Sequence, residues 1–288
     1  MQPVVMIIGA GAMGSAVGRR LAEQGASVMC ALAGRSEASV ARARAAGMRP
    51  AADAEAAGAD FILSIIPPGE AVATAQRFAP ILAKSPNKAI FVDCNAVNPG
   101  TIARAAAVLA PTGCGFVDAG IIGGPPRDGY KGPTFYASGP HAGDFAALTR
   151  LGLKIHLLDG PIGAASAVKM SYAGITKGLQ ALAAAMMLAA SRAGTAEDLR
   201  AELEQSQPAL LAWFERSLPG MYPKAYRWVA EMDEIAGFVG EDPAAHALFA
   251  GAARLYERLA ADFAGDKAEI AALEAFLGRP KGTVKAAE

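Results

Sequence analysis

The first stretch whose residue spacing points to chemistry is a glycine-rich loop near the N-terminus, made of Gly9, Ala10, Gly11, Ala12, Met13 and Gly14. It follows an apolar run that predicts a strand and precedes a stretch that predicts a helix, which is the context of the G-x-G-x-x-G dinucleotide-binding turn. In that turn the first glycine permits the tight bend, the second lets a pyrophosphate approach the backbone, and the third lets the helix pack on the strand. A plain tight turn is the alternative.

Arg35 and Ser36 bear on which dinucleotide would bind. NAD sites usually carry Asp or Glu at the end of the second strand, where the carboxylate binds the ribose 2′-hydroxyl. Here the sequence reads Ala33-Gly34-Arg35-Ser36 and has no carboxylate before Glu37. An arginine can pair with a 2′-phosphate, and a serine can donate a hydrogen bond to it. The sequence therefore predicts NADP(H) in preference to NAD(H), with an ordinary surface arginine as the alternative.

Lys169 stands among glycines, alanines and serines in GPIGAASAVKMSYAGITKG (160–178), a segment that predicts a helix. Taken alone, a lysine whose alkyl stem lies along the helix and whose ammonium reaches solvent would be the commoner arrangement. At 100° per residue, Tyr172, Thr176 and Gln180 fall within about 60° of Lys169. We expect these side chains to form a narrow polar stripe that lines a cleft.

The elements that must position these residues change in type along the chain. Over the first 158 residues, short apolar runs alternate with alanine-rich stretches, which predicts a mostly parallel, doubly wound sheet. Strands are predicted at 4–9, 27–34, 59–67, 88–95, 116–124, 134–139 and 154–160. From Gly163 to Ala193 the sequence predicts one helix of about 30 residues that ends at Gly194, and further helices follow. We therefore expect an α/β fold with a Rossmann-type domain over residues 1–160 and an all-helical domain over 161–288.

Five segments together resemble the β-hydroxyacid dehydrogenase family, which includes 3-hydroxyisobutyrate and 6-phosphogluconate dehydrogenases. They are GAGAMG (9–14), SIIPP (64–68), DCNAVNP (93–99), DAGIIGG (118–124) and GPIGAASAVK (160–169), so the resemblance covers most of the chain. The helical half resembles a subgroup whose C-terminal domain carries the label "phosphogluconate dehydrogenase-like, NAD-binding".

The resemblance implies roles for individual residues. Lys169 would donate and accept the proton of the substrate hydroxyl, next to the carbon that exchanges hydride with the nicotinamide. The small apolar residues around this lysine favour that role, because they disfavour the charged form and lower the pKa of its ammonium. Ile66 and Pro67 would lie against the nicotinamide, and Asn95 would lie near its ribose.

Three departures from the family pattern affect the expected substrate pocket. The serine of the substrate loop is Ile122 here, although Gly123 and Gly124 still offer backbone N–H groups. The two asparagines that follow the lysine are Tyr172 and Ala173, with Thr176 one turn further along the helix. The later Lys-Asp pair of the family is Glu231-Met232. Because these polar side chains are missing, a small carboxylate substrate would lose anchors in this pocket. Each lost hydrogen bond to a charged group is worth about 1.5–3 kcal/mol.

The composition limits the partners that the sequence predicts. The chain has 27 basic and 27 acidic residues, so no charge excess favours nucleic acid or an anionic membrane. The most apolar run, residues 181–190, is shorter than the roughly 20 residues that cross a bilayer. Three cysteines without a CxxC pair favour reduced thiols, and no histidine has metal-ligand spacing. We expect a cytoplasmic protein that takes a small-molecule substrate and no metal, and that forms a homodimer through its helical domain.

Three functional hypotheses remain open from the sequence. The first is an NADP-dependent oxidoreductase that interconverts a 3-hydroxy acid, or a related alcohol, with its carbonyl compound. The second is an imine reductase, a relative with the same two domains; such enzymes usually lack the lysine, so Lys169 argues against this reading. The third is a dimer that binds NADPH without catalysis, which the combination of GAGAMG (9–14) and Lys169 makes the weakest of the three.

Overall fold

The computed structural model describes residues 2–130 and 132–278, so the last ten residues of the expected helical domain lie outside the described part. One eight-stranded sheet lies within residues 4–157. Its strands are Val4–Ile8 (β1), Ser27–Ala31 (β2), Arg49–Ala51 (β3), Phe61–Ser64 (β4), Ile90–Asp93 (β5), Gly115–Ile122 (β6), Thr134–Ser138 (β7) and Lys154–Leu157 (β8). The spatial order is β3-β2-β1-β4-β5-β6-β7-β8.

The strand directions confirm the predicted α/β class with a mostly parallel sheet. Strands β1 to β6 pair in parallel. Strand β7 pairs antiparallel with β6, and β8 pairs parallel with β7. Seven strands overlap the seven predicted runs, and β3 is an addition that the sequence did not predict.

Helices cover both faces of the sheet, because the central strands are apolar on both sides. They are Ala12–Glu23 (α1), Glu37–Ala45 (α2), Ala71–Lys84 (α3), Pro99–Leu109 (α4) and Ala142–Phe145 (α5). In β1, Val5 and Ile7 join one core with Leu21 of α1. Met6 and Ile8 of the same strand point the other way, into a second core that contains Phe78 of α3. This arrangement is the doubly wound fold.

A 30-residue helix, Ala164–Ala193 (α6), follows the sheet as predicted. It ends before Gly194, whose φ of +74° is the left-handed conformation that commonly terminates helices. The chain divides into two compact units at the Met170–Ser171 junction. That junction lies inside α6, ten residues after the domain boundary that we expected from the sequence.

The second unit is helical. After α6 it contains Ala196–Ser206 (α7), Pro208–Met221 (α8), Ala225–Phe238 (α9), Pro243–Ala264 (α10) and Ala268–Phe276 (α11). Gly174 and Gly178 of α6 lie against the ring of Phe249 of α10, where an added Cβ would come within 3.3 Å of the ring. The two interior glycines therefore let α10 approach α6 closely.

Among the described residues, α6 is the one helix that is long and apolar enough to cross a membrane by length and composition. Its most apolar 18-residue window has a mean hydropathy of 1.3, and 44% of that window is buried inside the structure. The core helix of a soluble protein passes the same test, so this feature is weak evidence for a membrane span.

Candidate active site

The glycine-rich loop lies at the switch point of the sheet. Strand β1 has β2 on one side and β4 on the other, and doubly wound folds bind ligands where the strand order reverses in this way. Gly9 follows β1 with a φ of +103°, and a Cβ at this residue would overlap the carbonyl oxygen of Ile65, which follows β4. A Cβ at Gly14 would overlap the carbonyl oxygen of Gly9. Glycine is therefore required at both positions.

The same loop fits the pyrophosphate of a dinucleotide. Gly11 caps α1, and apart from its immediate chain neighbours no described residue comes within 4 Å of where its Cβ would be. Helix α1 has no side-chain cap and no acidic residue in its first turn. Free N–H groups at a helix N-terminus attract phosphate oxygens. Of the other loop residues, Ala10 is buried, Met13 is half-buried and Ala12 is exposed.

The side chains that follow β2 form a polar cluster. Nη2 of Arg35 lies 3.1 Å from Oε2 of Glu70, the residue before α3. Ser36 caps α2: its Oγ accepts a hydrogen bond from the backbone N–H of Ser39 at 3.4 Å and lies 3.2 Å from the Ser39 Oγ. The two predicted cofactor residues thus lie together, but Arg35 already has a carboxylate partner.

Arg42 belongs to this cluster and was not singled out from the sequence. Its Nε donates to the carbonyl oxygen of Ala10 in the glycine-rich loop at 2.9 Å, and its Nη2 donates to the Ser39 Oγ at 2.9 Å. Arg42 therefore ties α2 to the loop. The three polar residues of this cluster are spaced three apart: Ser36, Ser39 and Arg42. From this spacing one could have predicted that they lie on neighbouring positions of one helix face.

Asn95 fixes the end of β4. Its side chain is buried; Oδ1 accepts from the backbone N–H of Ile66 at 2.7 Å, and Nδ2 donates to the Ser64 Oγ at 3.1 Å. Ile66 is half-buried and Pro67 is exposed. The structure thus brings Asn95 and Ile66 together, and it uses the amide of Asn95 to position the loop after β4.

Asp93 and Asp118 are a pair of buried carboxylates on neighbouring strands, opposite each other in the register of β5 and β6. Oδ1 of Asp93 accepts from the backbone N–H of Asn95 at 3.0 Å, whereas its Oδ2 has no hydrogen-bond partner among the described residues. Burial raises the pKa of Asp93 to about 7; the bond from Asn95 opposes this rise, and the charge of Asp118 adds to it.

Asp118 holds the start of α6. Its Oδ2 accepts from the backbone N–H groups of Gly163 and Ser166, at 2.9 and 3.0 Å, and from the Ser138 Oγ at 3.2 Å. Its Oδ1 accepts from the Ser166 Oγ at 2.7 Å. Burial raises the pKa of Asp118, and the bonds from Ser166 are the largest opposing influence. Asp118 therefore serves as a hydrogen-bond acceptor that fixes the start of α6.

Lys169 lies directly against β6, one turn after this cap. A Cβ at Gly120 would come within 2.9 Å of both the Ala165 carbonyl oxygen and the Lys169 Cβ. Gly120 therefore lets α6 approach the strand that leads into the predicted substrate loop. Lys169 is half-buried. The structure thus joins the lysine and the DAGIIGG (118–124) segment, which stand about 50 residues apart in the sequence.

The predicted substrate loop follows β6. Ile122 is half-buried, Gly123 has a φ of +123°, and apart from the chain neighbours of Gly124 no described residue comes within 4 Å of its Cβ position. The Tyr130 hydroxyl lies 2.9 Å from where a Gly123 Cβ would be. Sequence reasoning did not single out Tyr130, because its approach to Gly123 depends on the turn in which Arg127 and Tyr130 pair.

Tyr172 and Thr176 lie on α6 beyond the junction, in the second unit. Tyr172 is half exposed, and the Thr176 Oγ1 donates to the carbonyl oxygen of Tyr172 at 2.9 Å. Gln180 is buried, and its Nε2 donates to the Thr176 carbonyl oxygen at 3.1 Å; that this side chain lines a cleft stays a prediction. Glu231 pairs with Lys177.

Comparison with known proteins gives two family matches. The model for the NAD binding domain of 6-phosphogluconate dehydrogenase matches residues 4–151, which is just over half of the chain. A model for a domain of unknown function, DUF1932, matches residues 190–259. None of the curated proteins matches the sequence significantly.

Solved structures extend the likeness to both units. The conserved protein MTH1747, of unknown function and described as structurally similar to 3-hydroxyacid dehydrogenases, is 30% identical; the match covers 89% of this chain and 96% of that one, with a TM-score of 0.67. The Mycobacterium tuberculosis 3-hydroxyisobutyrate dehydrogenase with L-serine is 20% identical over 96% of this chain and 99% of its own, with a TM-score of 0.68. A Streptomyces aurantiacus imine reductase is 18% identical over 95% and 99%, with a TM-score of 0.56. The last two likenesses establish the fold alone.

Proposed function

Because the chain belongs to the β-hydroxyacid dehydrogenase family, we propose that it is an NADP-dependent oxidoreductase that interconverts a 3-hydroxy acid, or a related alcohol, with its carbonyl compound. The observation that carries this proposal is the position of Lys169. Asp118 caps the helix that bears the lysine, and Gly120 lets that helix lie against the strand leading into the substrate loop. A proton donor is thereby held beside the loop expected to bind the substrate.

The glycine-rich loop (9–14) would hold the pyrophosphate of the cofactor, and Arg35 and Ser36 would bind its 2′-phosphate. Ile66 and Pro67, fixed by Asn95, would lie on the nicotinamide side. When bound, the reduced cofactor supplies a hydride to the carbonyl carbon of the substrate.

Lys169 moves the proton that the reaction requires. In the reductive direction its ammonium donates a proton to the carbonyl oxygen of the substrate, and in the oxidative direction its neutral amine accepts the proton of the hydroxyl. The N–H groups of Gly123 and Gly124 would donate to the acceptor group of the substrate. Ile122 would then limit which substrate side chains fit beside this loop.

The first prediction concerns Lys169. In Lys169→Met the alkyl stem stays but no proton can be donated, so we expect NADP⁺ reduction with the best of a panel of small and aromatic 3-hydroxy acids to fall about 100-fold or more. Affinity for NADPH, measured by calorimetry, should stay within about twofold. Lys154→Met, on the exposed strand β8, is the matched control and should keep full activity. Unchanged turnover in Lys169→Met would contradict the proposed role.

An imine reductase is the second candidate, and Ile122 is the residue that favours it. An apolar side chain at this position lacks the hydroxyl that would bind a substrate carboxylate, whereas an imine substrate needs no such anchor. NADPH oxidation with cyclic imines, together with no turnover of any hydroxy acid, would favour this candidate. Tight NADPH binding with no turnover of either class would favour a non-catalytic binding protein.

For the whole protein we propose a soluble, cytoplasmic homodimer. Six large apolar side chains on α6 are exposed among the described residues and recur with alternating spacings of four and three residues: Val168, Tyr172, Ile175, Leu179, Leu182 and Met186. This spacing places them on one face of the helix, as at the a and d positions of a coiled coil. A second copy of the chain is the partner that this face fits.

A further inference from the structure

The ion pair between Arg35 and Glu70 lies where the cofactor 2′ group is expected. Arg35 follows β2, and Glu70 comes from a different loop, which follows β4. The side chains are 29% and 47% exposed, so both can exchange partners. The sequence has no carboxylate at the end of the second strand before Glu37. In the folded chain, the carboxylate of Glu70 nevertheless lies beside the Arg35 guanidinium.

Because of the sheet topology, we expect a bound dinucleotide to contact this ion pair. Strands β2 and β4 are the two neighbours of β1 in the sheet. The loops that carry Arg35 and Glu70 therefore flank the glycine-rich loop (9–14) that follows β1. A dinucleotide whose pyrophosphate lies on the glycine-rich loop extends its adenosine ribose toward this end of the sheet.

The two members of the pair have opposite preferences for the group on that ribose. A 2′-phosphate is a strong acceptor that pairs with a guanidinium, and it is repelled by a carboxylate. A 2′-hydroxyl is a donor for which a carboxylate is the usual partner in NAD sites. Arg42 is already bonded to Ala10 and Ser39, so Arg35 is the better placed of the two arginines to change partner.

We propose, resting on the proposed function, that Glu70 is a specificity-determining residue: it competes with the 2′-phosphate of NADPH for Arg35 and accepts the 2′-hydroxyl of NADH. The site is then two-sided. Arg35 favours NADPH, and Glu70 keeps NADH usable and limits the preference between the two cofactors.

The test measures the binding of NADPH and NADH to the full chain by isothermal titration calorimetry, without substrate. In Glu70→Gln we expect the affinity for NADPH to rise about fivefold, because Arg35 is released and a repulsive charge is removed. The affinity for NADH should fall about fivefold, because the charged acceptor of the 2′-hydroxyl is lost. In Arg35→Gln the affinity for NADPH should fall about tenfold, while that for NADH stays within about twofold.

Glu37→Gln is the matched control. Glu37 lies in the first turn of α2, is exposed, and carries the same charge near the same end of the sheet. If removing a negative charge acted only through its long-range field, the affinity for both anionic cofactors would rise in both variants. The proposal is supported if the affinities for NADPH and NADH change in opposite directions in Glu70→Gln but not in Glu37→Gln. Equal changes for the two cofactors, or none, overturn it while leaving the oxidoreductase proposal standing. If the wild-type chain binds neither cofactor, both proposals fail.

Discussion

Asp93 is a single residue whose charge the fold makes costly. Its carboxylate is buried, one oxygen has no partner among the described residues, and Asp118 lies opposite on the next strand. Burial raises its pKa in the folded state from the usual 3.8 to about 7. Below about pH 4 this carboxyl is protonated in both the folded and the unfolded chain, so the protein has its full stability. As the pH rises from about 4 through about 7, the unfolded chain loses the proton first, and the folded state loses stability.

Asp93→Asn should therefore stabilise the protein in a pH-dependent way. The asparagine keeps an oxygen for the Asn95 N–H and never ionises. We expect the free energy of unfolding of the variant to exceed that of wild type, and this excess to be about 2–4 kcal/mol larger at pH 8 than at pH 4.5. Urea unfolding at the two pH values measures this difference. A constant offset between the two proteins would mean that Asp93 keeps an ordinary pKa.

Residue chemistry could be predicted from the sequence where a local pattern determines it. The glycine-rich loop and the Arg35-Ser36 pair each lie within a few consecutive residues, and the structure places them at the switch point and at the start of α2. Glu70 and Tyr130 were missed because each meets its neighbour only through the fold. Glu70 is 35 residues from Arg35, and nothing in the spacing of the two indicates their contact.

At the scale of elements, the approach of α6 to β6 depends on a missing side chain. Gly120→Ala would place a Cβ within 2.9 Å of the Ala165 carbonyl oxygen and the Lys169 Cβ. Part of this contact is backbone, so the helix must shift. We expect kcat to fall about tenfold or more, because small displacements of a catalytic group are costly.

We expect the fall in kcat of Gly120→Ala to be larger than any unfolding of the variant can explain. Thermal unfolding and NADPH affinity measured on the same variant separate a displaced lysine from an unfolded protein. Gly143→Ala is the control: Gly143 lies in α5, and apart from its chain neighbours and the backbone of its own helix no described atom comes within 4 Å of its Cβ position. If Gly120→Ala turned over substrate at the wild-type rate, the close packing of α6 on β6 would be irrelevant to catalysis.

The elements themselves could be predicted where they are long or apolar. The 30-residue helix α6 was predicted from the absence of proline and from Gly194, and the seven apolar runs became strands. Strand β3 was missed because its three residues, Arg-Pro-Ala, have no apolar pattern, and it forms at the sheet edge by pairing with β2. The Asp118 cap of α6 was likewise beyond local patterns, because it joins residues 45 to 48 positions apart.

At the scale of the whole molecule, the exposed face of α6 is the feature that a single chain leaves unexplained. Ile175 and Leu182 are 66% and 58% exposed, far more than apolar side chains in a core. Exposed apolar patches of this kind mark interaction surfaces. We propose that a second copy of the chain covers this face, and an experiment on the solubility and mass of the protein separates that arrangement from contact with a lipid bilayer.

Leu182→Glu should disrupt the proposed dimer. Burying a carboxylate in an apolar interface without a partner is costly, so we expect wild type to sediment as a dimer at micromolar concentration and the variant as a monomer. Wild-type thermal stability should also rise with protein concentration, because a dimer dissociates as it unfolds, and the variant should lose this dependence. Ala201→Glu adds the same charge at an exposed position of α7 and should stay dimeric. A monomeric wild type would contradict the proposed dimer, and a protein that needs detergent for extraction would indicate that α6 meets lipid instead.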